Sequence, residues 1–366
     1  MRTSFTGSNA TASTPYGRIA TRTPVPTTRR PSASSRVGAD LDADATRWTP
    51  GPRYPARMSQ IVLGPNQYGK AETRVVRIVR DTARHEIRDL NVSSALRGDF
   101  AAAHTHGDQS QVLPTDTQKN TAFAYAKQVG VASPEAYGVA LAQRLLEATP
   151  AATGVRVAVD EYPWDRIVLG GVGGLGHDHA FVRRGGEVRT VVVTLEGRGA
   201  DQQVWVVPGL SDLVVLKSTG SEFGGFLKDD YTTLPEATDR ILATSMTARW
   251  RYDGAAAAEV TDWDAAHAAV RTILLETFAI TYSRALQETL YAMGSAVLTA
   301  HPEIAEIRFS APNRHHFLVD LSPFGVDNPG EVFAAADRPY GLIEATVTRD
   351  DATDPGSAFL NTPGFL

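Results

Sequence analysis

The same order of hydrophobic periodicities runs along this chain twice, and that recurrence restricts the fold more than any single segment does. AETRVVRIVRD and HEIRDLNVSSAL read as two strands joined by a tight turn near Thr82 and Ala83. Two helices follow. In LPTDTQKNTAFAYAKQ, Pro114 ends what precedes, Thr115 or Asp116 stands where a cap accepts a free amide, and Ala122, Ala126 and Val129 recur at helical spacing beside Phe123 and Tyr125. The second helix opens on Ser133-Pro134, a cap followed by a proline in the first helical position, with Tyr137, Leu141 and Leu145 on one stripe. VRVAVDEY then alternates strictly, Val155, Val157 and Val159 against Arg156, Ala158 and Asp160, and VRTVVVTLEG supplies another strand. The order begins again with VWVVPGLSDLVVLKST. A helix in TDWDAAHAAVRTILLETFA opens on Thr261 and Asp264 at capping-box spacing, and a second carries Leu286, Leu290, Met293 and Val297. TAHPEIAEIRF leads back into strand. Strand pair, helix pair, strand pair, twice over, describes a duplicated α+β unit: an antiparallel sheet with helices on one face. Such a sheet leaves a second face and two edges to satisfy, so oligomerisation is expected.

The 366 residues, 42% of them hydrophobic, are ample for one or two domains. A net charge of −5 gives no global attraction to nucleic acid or to an anionic membrane, and no apolar run is long enough to span a bilayer. Cysteine is absent, which removes disulfides, thiol catalysis and thiolate metal sites and suits a reducing cytoplasm. The ending NTPGFL is not a Ser-Lys-Leu peroxisomal address. Residues 1–57 are rich in Ser, Thr, Pro and Arg, contain no Lys, and show no acid before Asp40. Such a stretch buries too little apolar surface to offset its ordering entropy and reads as a disordered tail, with Met58 a candidate start of the working chain. The expected layout is this tail, a first domain over 58–200, a second over 201–350 and a C-terminal tail over 351–366.

The candidate chemistry is scattered, and each signal has an ordinary counterpart. LGGVGGLG matches G-x-G-x-x-G at Gly171, Gly173 and Gly176, but strand-like HDHAFVRR follows where a dinucleotide site needs a helix, so the stretch reads as a loop. Histidines occur in pairs, His104 with His106, His177 with His179 and His315 with His316, without a familiar metal-ligand spacing. Arg240, expected on a short helix in LPEATDRILAT, is either an ion-pair partner of Glu236 or a guanidinium fork for a flat substrate. Phe223, beside Gly224 and Gly225, is either core or a ring with one open face. Gln287 lies one residue off its helix's apolar stripe. Asn313 and His315 begin a strand in APNRHHF. Composition and periodicity alone reach only a two-unit α+β protein that oligomerises.

The blocks YGKAETRVVRI, LPTDTQKNT, LKSTGSEFGGFLKDDYTTLPEATDRIL, ALQETLYAMG, SAPNRHHF and GLIEATVTR, in this order from about Tyr68 to Arg349, resemble the urate oxidase (uricase) family. The resemblance implies tandem tunnelling-fold (T-fold) domains, a barrel completed by a second subunit, and a homotetramer with active sites between subunits. It implies neither metal nor organic cofactor, and the partners urate and O2. Carried over by residue, it assigns the catalytic roles to Lys70, Thr115 and His315. Substrate contacts fall to Thr115, Asp116, Phe223, Arg240, Leu286, Gln287 and Asn313. Gly224, where a bulkier aromatic often stands, and Leu286, where valine is common, depart from the family pattern and affect the shape of the pocket. The reaction implied is oxidation of urate to 5-hydroxyisourate with release of hydrogen peroxide. The rival readings are a zinc-dependent purine or pterin hydrolase using the histidine pairs, and a purine-binding barrel without chemistry.

Overall fold

The computed structural model of the chain describes residues 60–171 and 173–360, so the expectations for the N-terminal tail and for the last six residues lie outside the described residues. The first half contains β1 (Tyr68–Val79), β2 (Glu86–Gly98), a short α1 (Ala101–His106), α2 (Thr115–Gln128), α3 (Pro134–Ala148) and β3 (Ala152–Glu161). A hairpin of β4 (Trp164–Val168) and β5 (Gly176–Arg183) precedes β6 (Val188–Glu196). The second half contains β7 (Gln203–Lys217), β8 (Leu242–Tyr252), α4 (Trp263–Ile280), α5 (Leu286–Ala300) and β9 (Ile304–Pro312). A second hairpin, β10 (His315–Leu318) with β11 (Phe333–Ala336), precedes β12 (Leu342–Thr348). One eight-stranded sheet runs β1-β2-β3-β6-β7-β8-β9-β12, every pairing antiparallel. Two strands, two long helices and two strands therefore occur twice, with an extra hairpin inserted before the last strand of each set. The glycine-rich stretch turns the first of these hairpins and is followed by strand, as its neighbours predict.

Alternation within the strands builds the helix-side layer. Val155, Val157 and Val159 are fully buried beneath Tyr137, Leu141 and Leu145 of α3. In the second half Trp250, Ile307 and Phe309 lie beneath Leu274, Leu290, Met293 and Val297. Close approach of helix and sheet depends on glycine in both halves: a Cβ on Gly138 of α3 would lie 3.0 Å from Val193 Cγ2, and one on Gly294 of α5 only 2.5 Å from Val347 Cγ2. An ionic seam crosses between the halves, where Arg189 of β6 binds Glu135 at 2.7 Å and Asp264 of α4 at 2.6 Å. On the opposite sheet face the segment after β12 packs Ala358 and Phe359 against Val192 and Val207. Arg308 stacks 3.6 Å from the Phe359 ring centroid, and the buried Arg251 donates to the Thr353 carbonyl at 2.8 Å. Among the described residues no helix is long and apolar enough to cross a membrane.

Three local expectations are corrected. The cap of α4 is Asp262, whose carboxylate accepts the Ala265 N–H at 2.9 Å; Thr261 and Asp264 form no box, because Asp264 is drawn into the ionic seam. Helix α2 has Pro114 at its cap without a side-chain hydrogen bond, so Thr115 and Asp116 are its first two helical residues rather than its cap. Its buried stripe is Gln118, Ala122 and Ala126; Val129 at the C-cap is exposed, as is Phe123. The expected cap of α3 is present, with Ser133 Oγ accepting the Ala136 N–H at 3.1 Å.

Candidate active site

The first-half residues meet where α2 begins against β1. Lys70 stands opposite Ser94 in the β1–β2 ladder, just before a bulge at which Glu72 takes φ 57° and its N–H donates to Ser93 Oγ. Tyr68, two residues earlier and edge-on to Phe100, accepts the Leu113 N–H at 2.9 Å. The helix start is thereby tied to the strand that carries Lys70. Thr115 is exposed there, at an end where helix amides lack intrahelical partners and the dipole is positive. The hydrogen bond and charge of Lys119 hold the Asp116 carboxyl below its ordinary value, Asn120 donates to it at 3.0 Å, and Lys70 adds a smaller pull. Lys70, Thr115 and Asp116 are thus brought together.

The second-half residues gather on a stitched loop. Between β7 and β8, Ser221 bridges Ser283 and accepts the Arg240 N–H at 2.7 Å, while Phe223 and Ala237 exchange both backbone hydrogen bonds. This pairing replaces the short helix expected around Arg240: backbone groups that a helix would use are consumed across the loop. Asp239 closes the loop by accepting from Thr219 Oγ1 at 2.7 Å and Gly220 N at 3.1 Å. Arg240 lies over the Phe223 ring at 5.0 Å, and Phe226 stacks on Phe223 at 5.0 Å and 16°. Burial pulls the Arg240 pKa below its ordinary value, and its buried Nε has no hydrogen-bond partner among the described residues. A buried charged donor without an acceptor is the arrangement a bound anion would satisfy.

Ser283, the loop's other neighbour, leads into α5. Leu286 is 2% exposed and packs into the second core, so only its backbone, at the helix start, faces outward chemistry; Gln287 is exposed. Asn313 follows β9, bridges Thr244 at the start of β8 and donates its N–H to the Gly341 carbonyl at 2.8 Å. His315 begins the separate β10–β11 hairpin and stacks on Phe317 at 5.7 Å. Phe223, Arg240, Leu286, Gln287, Asn313 and His315 therefore share one end of the second half. Sequence reading missed the groups that hold both sets: Tyr68 and Gln118 beside Lys70 and Thr115, and Ser221, Phe226 and Asp239 around Phe223 and Arg240. Only Gln118 carries a sequence signal, a polar residue one turn before Ala122 on the apolar stripe.

The two groups do not meet within one chain. Through the ladder, Lys70 is level with Ser94, Val157, Val193 and then Val206 of β7. Arg240 precedes Leu242, which pairs with Lys217 of β7. Val206 and Lys217 are separated by eleven residues of one strand, about 36 Å, and β1 lies four strand spacings from β7, about 19 Å. Lys70 sits at the beginning of a strand that runs opposite to β8, so the clusters occupy opposite ends and opposite halves of the sheet. Among the described residues no group of three or more His, Asp or Glu side chains is placed to hold a metal ion.

An all-antiparallel sheet of twice-repeated strand, helix and strand pairs, with helices packed on one face, is the architecture of the T-fold class. The Uricase family profile matches residues 66–194 and 206–344. The chain is 55% identical to the uricase of Arthrobacter globiformis over 307 residues, 84% of this chain and 96% of that one. It is 37% identical to the uricase of Schizosaccharomyces pombe over 291 residues, 77% and 96%. The crystal structure of the Arthrobacter enzyme superposes with a TM-score of 0.74 over 81% of this chain and 98% of that chain. The Bacillus fastidious uricase, 27% identical, gives 0.68 over 77% and 93%. The chain belongs to the uricase family.

Proposed function

We propose that this protein oxidises urate with O2 and water to 5-hydroxyisourate and hydrogen peroxide, without a cofactor, in the cytoplasm, at sites shared between subunits of a homotetramer. The observation that carries the shared site is the placement of two incomplete clusters at opposite ends of one sheet. A two-fold axis across the strands reverses their direction, so a second copy brings its Lys70 end level with the first copy's Arg240 end. Arg240 and Gln287 then hold two edges of the flat purine and Phe223 stacks beneath it. Thr115 meets the opposite edge. Lys70 draws the threonine hydroxyl proton, Thr115 takes a proton from urate, and His315 extends the relay through water. The urate dianion is electron-rich enough to reduce O2, held above the ring near Asn313. A C5 hydroperoxide forms, hydrogen peroxide leaves with its bonding electrons, and water adds at C5.

The test is urate absorbance decay with peroxide formation, in chelator, under oxygen and then nitrogen. Turnover that is oxygen-dependent and chelator-resistant is expected; loss on chelation would favour the zinc hydrolase reading. For the shared site, assayed at urate concentrations too low to saturate Arg240→Ala, the Thr115→Ala and Arg240→Ala chains each have little activity alone, and co-refolding them restores up to about a quarter of the sites in a dimer of random composition. Absence of any recovery would place the whole site within one chain.

A further inference from the structure

Gln118 is 1% exposed, a polar side chain on the buried stripe of α2, and the mechanism above does not use it. Its Oε1 accepts from Ser94 Oγ at 2.8 Å, and its Nε2 donates to the Leu113 carbonyl at 3.3 Å. The carbonyl partner fixes the amide orientation, because a flipped amide would set two acceptors against each other. Ser94 is the ladder partner of Lys70, and Leu113 lies two residues before Thr115. We infer that Gln118 is the positioning residue of the proton-transfer pair: one buried amide spans from the strand opposite Lys70 to the backbone entering Thr115, and so sets their separation. Tyr68 ties the same Leu113 from the β1 side through its N–H, which leaves the Leu113 carbonyl for Gln118. The inference rests on Lys70 and Thr115 being the reacting pair.

Small displacements of a reacting pair cost large rate factors, whereas the grip of Arg240 and Gln287 lies on other elements. Gln118→Met keeps volume and removes both hydrogen bonds, and Ser94→Ala removes one. Expected are a fall in kcat of about 10-fold or more for Gln118→Met and a smaller fall for Ser94→Ala, each with KM for urate changed less than about twofold. The deciding measurement is a double-mutant cycle on the tetramer. In a Lys70→Met background Gln118→Met should lower kcat no further, because the geometry it protects no longer matters. Additive losses, or a rise in KM that tracks a lowered melting temperature in both variants, would reduce Gln118 to a core residue and overturn the inference. Should Gln118→Met not fold, the Ser94→Ala cycle against Lys70→Met decides between the same two outcomes. Full activity of Lys70→Met alone would instead remove the proposed mechanism, a result separable from any Gln118 effect.

Discussion

The two halves of the sheet share a plan and differ in the elements that carry their candidate residues. Each has its first long helix anchored by one buried polar side chain: Gln118 of α2 reaches Ser94, and His267 of α4 reaches the Gly209 carbonyl at 3.1 Å. Each has its second long helix pressed onto the last strand of the set through a glycine, Gly138 on Val193 and Gly294 on Val347. The working residues differ in their supports. Lys70 and Thr115 stand on a strand and a helix start, while Phe223 and Arg240 stand on a loop held by cross-loop hydrogen bonds. Under the proposed mechanism, proton transfer, which needs the tighter tolerance, falls on the stiffer elements, and the grip on a flat anion falls on an open rim.

The sharpest way to break this division is kinetic. Lys70→Met should lower kcat by about 10²–10⁴-fold with urate affinity nearly unchanged, as befits a proton-transfer group. Arg240→Ala should weaken urate binding by about 10–100-fold, the loss of charge-assisted hydrogen bonds. If Lys70→Met altered only affinity, or Arg240→Ala only turnover, the division would fail.

Packing gives a smaller contrast. A methyl at Gly294 meets both Cβ and Cγ2 of Val347, at 2.7 and 2.5 Å, so Gly294→Ala should destabilise by about 1–3 kcal/mol. A methyl at Gly138 would meet only Val193 Cγ2 closely, at 3.0 Å, with its Cβ 3.8 Å away, so the milder contact is partly offset by a gain in helix propensity of about 1 kcal/mol and the change should cost less than at Gly294. Equal shifts in melting temperature would mean that the halves are packed alike.

The buried anchors differ in titration. Burial, aided by the nearby Arg189, pushes the His267 pKa down to about 3. Its folded value lies below the unfolded value of about 6.5, so its contribution is complete above that pH and is lost as pH falls toward the folded value. Stability should drop by about 1.4 kcal/mol per pH unit in that window, and His267→Gln should flatten the slope in urea unfolding series. Gln118, its counterpart in the first half, adds no such slope.

Much of the fold was legible because its code is local. The alternation of Val155, Val157 and Val159, the Ser133-Pro134 start and the Leu286-to-Val297 stripe each specify their element without help from distant residues. The short helix expected at Arg240 failed for the opposite reason. Glu236, Ala237 and Asp239 have acceptable helix chemistry, but Ala237 pairs with Phe223, fourteen residues away, and no local window contains that partner. The separation of the two clusters was likewise invisible to periodicity, since register across several strands is a sum of pairings; only the resemblance implied a site shared between subunits. The identity of the clustered residues came from motif resemblance, not from periodicity.

The segment that follows β12 has a temporal consequence. Its Phe359 and Thr353 contact residues of β6, β7, β8 and β9, that is, of both halves. A ribosome that has just added Arg349 holds a nascent chain whose sheet strands are all made but whose Val192 and Val207 are still bare. Residues 353–359 are therefore a clasp that joins the two halves on the face opposite the helices, and it can close only after every strand of the sheet has been made.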